Sequence, residues 1–198
     1  MIFKASEDIL FPTPLWTCEA PEVDNDKIKQ YCLKVRELKN GIKVSNRGGW
    51  HSRELVYPIE KELTFLLDNI TKFVNKVCSP SLGVPNLQVG NFWININGQY
   101  DYNLPHDHQN SILSGTYYVS VPDSNMGDIV FHRDDKAEFF IHSGIHKTPN
   151  MFNSGRVIRS PQEGTFLLFP SWTRHHVERN ESNKERISIA FNFVQPKN

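Results

Sequence analysis

The chain has 198 residues, 22 Lys+Arg against 22 Asp+Glu, and a formal net charge of zero. That length is enough to bury a core without covalent staples, and the charge balance excludes a broad basic nucleic-acid surface or an acidic tail. Three widely spaced cysteines, Cys18, Cys32 and Cys78, with no C-x-x-C pair, exclude a disulfide framework and a cysteine-built zinc knuckle, and point to reduced thiols in a reducing compartment.

Residues 1–10 contain Lys4, Glu7 and Asp8 and so lack the apolar run of a signal peptide. The longest apolar stretches are too short to span a bilayer. A cytoplasmic protein with no membrane or nucleic-acid partner is expected. After an irregular, proline-bearing opening, residues 24–39 place Ile28, Tyr31, Cys32, Val35 and Leu38 at helical spacing. Asp24 or Asn25 is the candidate N-cap, and Asn40-Gly41 is the stop. Residues 41–56 read as a loop, in which Gly48-Gly49-Trp50-His51 suits either a lid or a plain connection. A second helix is predicted from Pro58, which suits a first helical turn. It carries Ile59, Leu63, Leu66, Leu67, Ile70, Val74 and Val77 on one face.

From residue 87 the texture changes. Segments 87–97, 111–121, 127–132, 155–160, 164–170 and 185–194 are short, rich in aromatic and β-branched residues, and separated by Gly, Pro, Asn and Asp. Strands at this spacing without intervening helices predict a mainly β fold, a sandwich or jelly roll, with two N-terminal helices packed on one face. Segment 185–194 alternates strictly. Ile187, Ile189, Phe191 and Phe193 fall on one face, and Arg186, Ser188, Ala190 and Asn192 on the other. The polar face suits solvent or a ligand cavity.

Seven of the eight histidines fall between residues 106 and 176. His106-Asp107-His108 puts two imidazoles two residues apart, on one face of a strand and close enough to share a metal. A third ligand can come from the His175-His176 pair, because adjacent strands bring distant segments together. Imidazole ligands with open positions suit redox-active iron, whereas thiolates would suit structural zinc. A chance H-x-H in a loop is the bland alternative. His51, His132, His142 and His146 lack comparable partner spacing and read as surface or structural residues. Trp50, Trp93 and Trp172 read as packing residues, and 133–136 as a solvated turn. Eleven residues after His175, Arg186 offers a planar fork for a carboxylate, with the Ser188 hydroxyl on the same strand face. A small dicarboxylate could bridge Arg186–Ser188 and the metal, which favours the cavity for this face.

H-x-[D/E/H], a distal His and R-x-S about ten residues later resemble the Fe(II)/2-oxoglutarate-dependent oxygenase superfamily. NLPHDHQNSILSGTYYVSVP, GDIVFHRD, GTFLLFPSWTRHHVERN and ERISIAFNF are most similar to the 2OG-Fe(II) oxygenases related to prolyl hydroxylases. The opening ILFPTPLW and the GGWHS segment resemble that family's amino-terminal part. The resemblance implies a double-stranded β-helix barrel, with residues 1–198 as one oxygenase domain: a helical part over 1–80 and a jelly-roll core over 87–195. It implies Fe(II), 2-oxoglutarate and O2, and an enzyme coupling 2-oxoglutarate decarboxylation to succinate with C–H oxidation of a protein or small-molecule substrate. Residue by residue, it implies His106 and His175 as metal ligands, with His176 a neighbour. It implies Arg186, Ser188 and Tyr118 around the remote carboxylate of 2-oxoglutarate.

His108 stands where most of the superfamily has an acidic ligand. A three-histidine site of His106, His108 and His175 is therefore expected, one unit more positive and favourable to a dianionic cosubstrate. Two rivals are a two-histidine site with His108 turned away and a ligating Asp107, which strand alternation disfavours. Two other functions compete: a cupin-like three-histidine enzyme that does not use 2-oxoglutarate, and a non-catalytic β-sandwich binding protein. The substrate and the oligomeric state, a homodimer included, stay open.

Overall fold

The computed structural model describes residues 6–20, 22–134 and 148–196. Two helical segments form as their sequence signals dictate. In α1 (Asn25–Leu38) the Asp24 carboxylate accepts from the Lys27 N–H and caps the first turn, and Ile28, Cys32 and Val35 form the buried stripe. In α2 (Lys61–Phe73) the buried stripe is Leu63, Leu66, Leu67 and Ile70. This helix begins three residues after Pro58 rather than with Pro58 in its first turn. The Glu60 carboxylate accepts from the N–H groups of Glu62 and Leu63, and that side-chain acceptor sets the start. The helix runs through a π-helical turn, Val74–Cys78, into the short α3 (Ser79–Leu82), which Gly83 closes in the left-handed conformation.

The described residues form eleven strands, in chain order β1 (Trp16–Glu19), β2 (Asn46–Arg47), β3 (Trp50–His51), β4 (Gln88–Asn97), β5 (Tyr102–His106), β6 (Leu113–Ser120), β7 (Ile129–His132), β8 (Arg156–Arg159), β9 (Thr165–Pro170), β10 (His175–Val177) and β11 (Arg186–Val194). They build a six-stranded sheet in the order β1-β9-β6-β11-β4-β3 and a five-stranded sheet in the order β2-β5-β10-β7-β8. Every pairing is antiparallel. The result is the expected jelly roll with helices on one face.

Alternation along β11 and β4 decides what goes where. Ile187, Ile189, Phe191 and Phe193 point outward and join Phe92, Ile94 and Ile96 of β4 under the stripes of α1 and α2, forming the main core. Burying a side chain of this size contributes about 1.5–3 kcal/mol, so this layer dominates the stability. The opposite faces of β11 and β4 turn inward. A smaller cluster of Tyr118, Ile129, Phe131, Leu167 and Phe169 fills one side of the space between the sheets and leaves the rest open.

The segment expected as a loop over 41–56 contains β2 and β3, which belong to different sheets. Gly48 and Gly49 make the step between them at φ 68° and 55°, and a Cβ at Gly48 would strike the Asp101 carboxylate. The Asn46 side chain accepts from the Val44 N–H and donates to the carbonyls of Ile42, Gly48 and Gly49. This segment is a stitched corner joining the two sheets. Among the described residues, no helix is long and apolar enough to cross a membrane.

Candidate active site

Three central strands of the larger sheet make the floor of an internal cavity. Their registers place Asn91, Asn192 and Ser114 side by side, then Trp93, Ala190 and Thr116, then Asn95, Ser188 and Tyr118, then Asn97 and Arg186. All but the fully buried Ser114 line a cavity of about 350 Å³ that also reaches His106, His108 and His175, a size suited to a small organic molecule.

The imidazole end is built by β5 and β10. His106 and His175 are direct partners across these strands, with ring centroids 4.4 Å apart. His108 lies two residues beyond the end of β5, held by a bond from its N–H to the Ser171 carbonyl, and its ring is 5.2 Å from each of the other two. One nitrogen from each imidazole falls within 4.8 Å of the other two, and Asp107 is not in this group. His176 points the other way, as alternation requires, and shares a 2.7 Å hydrogen bond with His132.

Each of the three rings is oriented through Nδ1. His106 bonds the Leu104 carbonyl at 2.7 Å, His175 the Thr173 carbonyl at 2.9 Å, and His108 the Asn192 side-chain oxygen at 2.8 Å. Donation from Nδ1–H leaves a lone pair on every Nε2. The Nε2 of His108 is buried with no hydrogen-bond partner. Burial holds all three imidazoles neutral. His108 is pushed down to about 4 and His175 to about 3, with the neighbouring His106 adding to the effect, and His106 itself is lowered by burial. Three neutral nitrogens converge on one point, and one of them is a buried acceptor lacking a donor. That arrangement fits a divalent cation of borderline character.

The other end of the floor is cationic. Arg186 is 3% exposed. Its Nη1 donates to the carbonyls of Met126, at 2.9 Å, and Gly127, and Nη2 donates to the Asn97 side-chain oxygen at 3.2 Å. These acceptors are all neutral, and no described carboxylate forms an ion pair with it. Of its five N–H donors, three are used, and Nε–H is buried without a partner. Burial pulls the guanidinium below its usual value, and burial pushes the adjacent Tyr118 phenol up to about 12. The Ser188 hydroxyl lies in the same face. A buried cation with an unused donor edge fits a carboxylate.

The structure thus gathers every residue singled out in the sequence: His106, His108 and His175 at one end of the cavity, and Arg186, Ser188 and Tyr118 at the other. Several contributors were not foreseen. His51, read as surface or structural, is 8% exposed, lines the cavity and stacks on Trp93 at 5.6 Å and 12°. Trp93 stacks in turn on His108 at 5.7 Å. Trp93 is therefore a cavity wall, Trp50 packs on the main core, and Trp172 is exposed. The signal was present in 91–97, where Asn91, Trp93, Asn95 and Asn97 alternate with Phe92, Ile94 and Ile96, the same two-faced pattern as β11. His142, His146, Asp135 and Lys136 lie outside the described residues.

This jelly roll, with an imidazole cluster facing a buried arginine inside it, is the architecture of a non-haem oxygenase. A family model described as "Putative 2OG-Fe(II) oxygenase" matches residues 91–192, more than half of the chain, and the chain belongs to that family. Fe(II) and 2-oxoglutarate are the metal and cosubstrate of this family. No curated protein matches the chain. Among solved structures, a Pseudomonas putida prolyl-4-hydroxylase superposes with a TM-score of 0.65 at 12% identity, covering 92% of this chain and 93% of that one. The viral collagen prolyl hydroxylase of Paramecium bursaria Chlorella virus-1, in its 2OG complex, gives 0.62 at 11%, covering 91% and 96%. HygX from Streptomyces hygroscopicus, with nickel and 2-oxoglutarate bound, gives 0.59 at 9%, covering 92% and 83%. At these identities the likeness is one of fold.

Proposed function

We propose that the chain, as one domain over residues 1–198, is a hydroxylase in which His106, His108 and His175 hold Fe(II) and Arg186, Ser188 and Tyr118 bind the remote carboxylate of 2-oxoglutarate. The observation that carries this reading is the complementary pair of unsatisfied groups in one cavity: a buried, partnerless His108 Nε2 at one end and a buried, partnerless Arg186 Nε–H at the other. A chelating metal ion loaded with a dicarboxylate satisfies both. A cupin-like enzyme without 2-oxoglutarate would leave Arg186 uncompensated.

When bound, the iron supplies oxidative decarboxylation of 2-oxoglutarate to succinate, coupled to oxidation of a substrate C–H bond. The chain's own residues supply position and environment. Arg186 offers a charge-assisted donor edge aligned by the Met126 and Gly127 carbonyls, so the carboxylate meets a guanidinium that is already fixed. Ser188 and Tyr118 are cross-strand partners and present two hydroxyls beside it. The Tyr118 hydroxyl has no hydrogen-bond partner among the described residues, and burial keeps it a neutral donor. The apolar cluster of Ile129, Phe131 and Phe169 keeps water from one side of the cavity.

The substrate is a protein side chain or a small molecule. Proteins of the same fold span both classes, since one neighbour from Trichoplax adhaerens is in complex with a peptide fragment and HygX also appears with hygromycin B bound. The three free thiols support a cytoplasmic setting. The test is anaerobic addition of Fe(II) and then 2-oxoglutarate to the metal-free protein. A visible charge-transfer band and slow formation of succinate in air are expected. A protein that binds Fe(II) but gives neither band nor succinate would overturn the reading.

A further inference from the structure

The three histidines are not held in the same way. His106 and His175 each bond a backbone carbonyl two residues earlier, a contact that no side-chain replacement removes. His108 is held by a side chain 84 positions away, the Asn192 carboxamide, at 2.8 Å. That carboxamide is fixed in turn: its oxygen accepts from the Ser114 hydroxyl at 2.7 Å, and its Nδ2 donates to the Asn91 side-chain oxygen at 2.8 Å. Asn192 is 6% exposed and Ser114 fully buried.

The direction of this chain decides what His108 is. An amide can be turned over, exchanging its oxygen and nitrogen. With the Asn192 oxygen toward His108, Nδ1 carries the proton and Nε2 is a free acceptor. Turned over, the amide would donate to Nδ1, place the proton on Nε2 and disable that nitrogen as a ligand. Ser114 breaks the tie. Its buried hydroxyl hydrogen has one acceptor among the described residues, the Asn192 oxygen, and turning the amide over would orphan it at a cost of about 1–3 kcal/mol.

Resting on the three-histidine reading, we infer that Asn192 is a positioning residue: with Ser114 and Asn91, it fixes His108 as the Nδ1–H tautomer and so makes it a metal ligand. In this chain the ligand that replaces the usual carboxylate depends on residue 192. Removing an outer partner of this kind lowers metal affinity about 10–100-fold.

Co(II) is the probe, because its visible absorption reports ligand number as well as binding. Asn192→Leu is expected to bind Co(II) about 10–100-fold more weakly with an altered spectrum. Asn192→Asp keeps the acceptor toward His108 and Ser114 and loses only the bond to Asn91, so it should keep the wild-type spectrum and bind Co(II) clearly more tightly than Asn192→Leu. In a His108→Ala background, Asn192→Leu should cause no further loss, whereas a general packing defect would weaken both backgrounds equally. Wild-type affinity in Asn192→Leu, or loss of binding in Asn192→Asp, would overturn the inference while leaving the three-histidine site standing. Unchanged Co(II) binding in His108→Ala alone would instead overturn the three-histidine site itself.

Discussion

The two ends of the cavity are incomplete in opposite senses. At the histidine end, burial has removed protons and left lone pairs: His175 is pushed down to about 3 and His108 to about 4. At the arginine end, burial surrounds a cation with neutral acceptors and leaves an N–H unused. One end is short of a cation and the other of an anion. Each is costly alone, since an unsatisfied buried charge or polar group destabilises a fold. The difference teaches that the cavity is preorganised for a pair of bound species rather than for one, and that each end should fail independently.

The largest expected effect is at the cationic end. Arg186→Ala should weaken 2-oxoglutarate by roughly 30-fold to several-thousand-fold, as about 2–5 kcal/mol is lost when a buried carboxylate loses its charged partner. Fe(II) affinity should stay within a fewfold of wild type. Titrations with each ligand check this, and equal loss of both would erase the contrast between the ends. Next is the histidine end. His175→Ala should lower Fe(II) affinity more than the roughly 10–100-fold expected for an outer partner, measured by anaerobic titration.

Smaller effects sharpen the picture. Tyr118→Phe removes one neutral hydrogen bond, worth about 0.5–1.5 kcal/mol, so 2-oxoglutarate should weaken about two- to tenfold with Fe(II) unaffected. Tyr117, the neighbour on the opposite face, donates its hydroxyl to the Asn25 side-chain oxygen at 2.7 Å. Tyr117→Phe should cost about 1 kcal/mol of stability, or about 2–4 °C in Tm, and leave both ligands unaffected. Thermal unfolding and ligand titration together test whether the dipeptide divides its roles between helix layer and cavity.

Much of this layout was legible in the sequence, because period-2 alternation over nine or ten residues is a strong signal. Residues 186–194 and 88–97 declare one oily and one polar face. The two-residue strands at Asn46–Arg47 and Trp50–His51 were not legible, since two residues carry no period and their pairing is long-range. Asn192 was visible as polar, but a carboxamide gripping a buried imidazole looks the same in sequence as one facing water. His51 was missed because its role comes from stacking on Trp93, 42 positions later. The start of α2 was misplaced because Glu60, not Pro58, supplies the cap.

The cysteines give the helix layer a readout of its own. Cys32 in α1 and Cys78 at the end of the π-helical turn are both inaccessible to solvent, and burial pushes each thiol up to about 12. The reactive thiolate is scarce at neutral pH even before access is considered. A thiol reagent can reach them only when the helices lift from the outer face of the sheet, so their labelling rate measures that opening. The inner side of that sheet is the cavity floor, facing His106 and His175 on the other sheet, and labelling with and without Fe(II) therefore reports how far loading the cavity clamps the layer behind it.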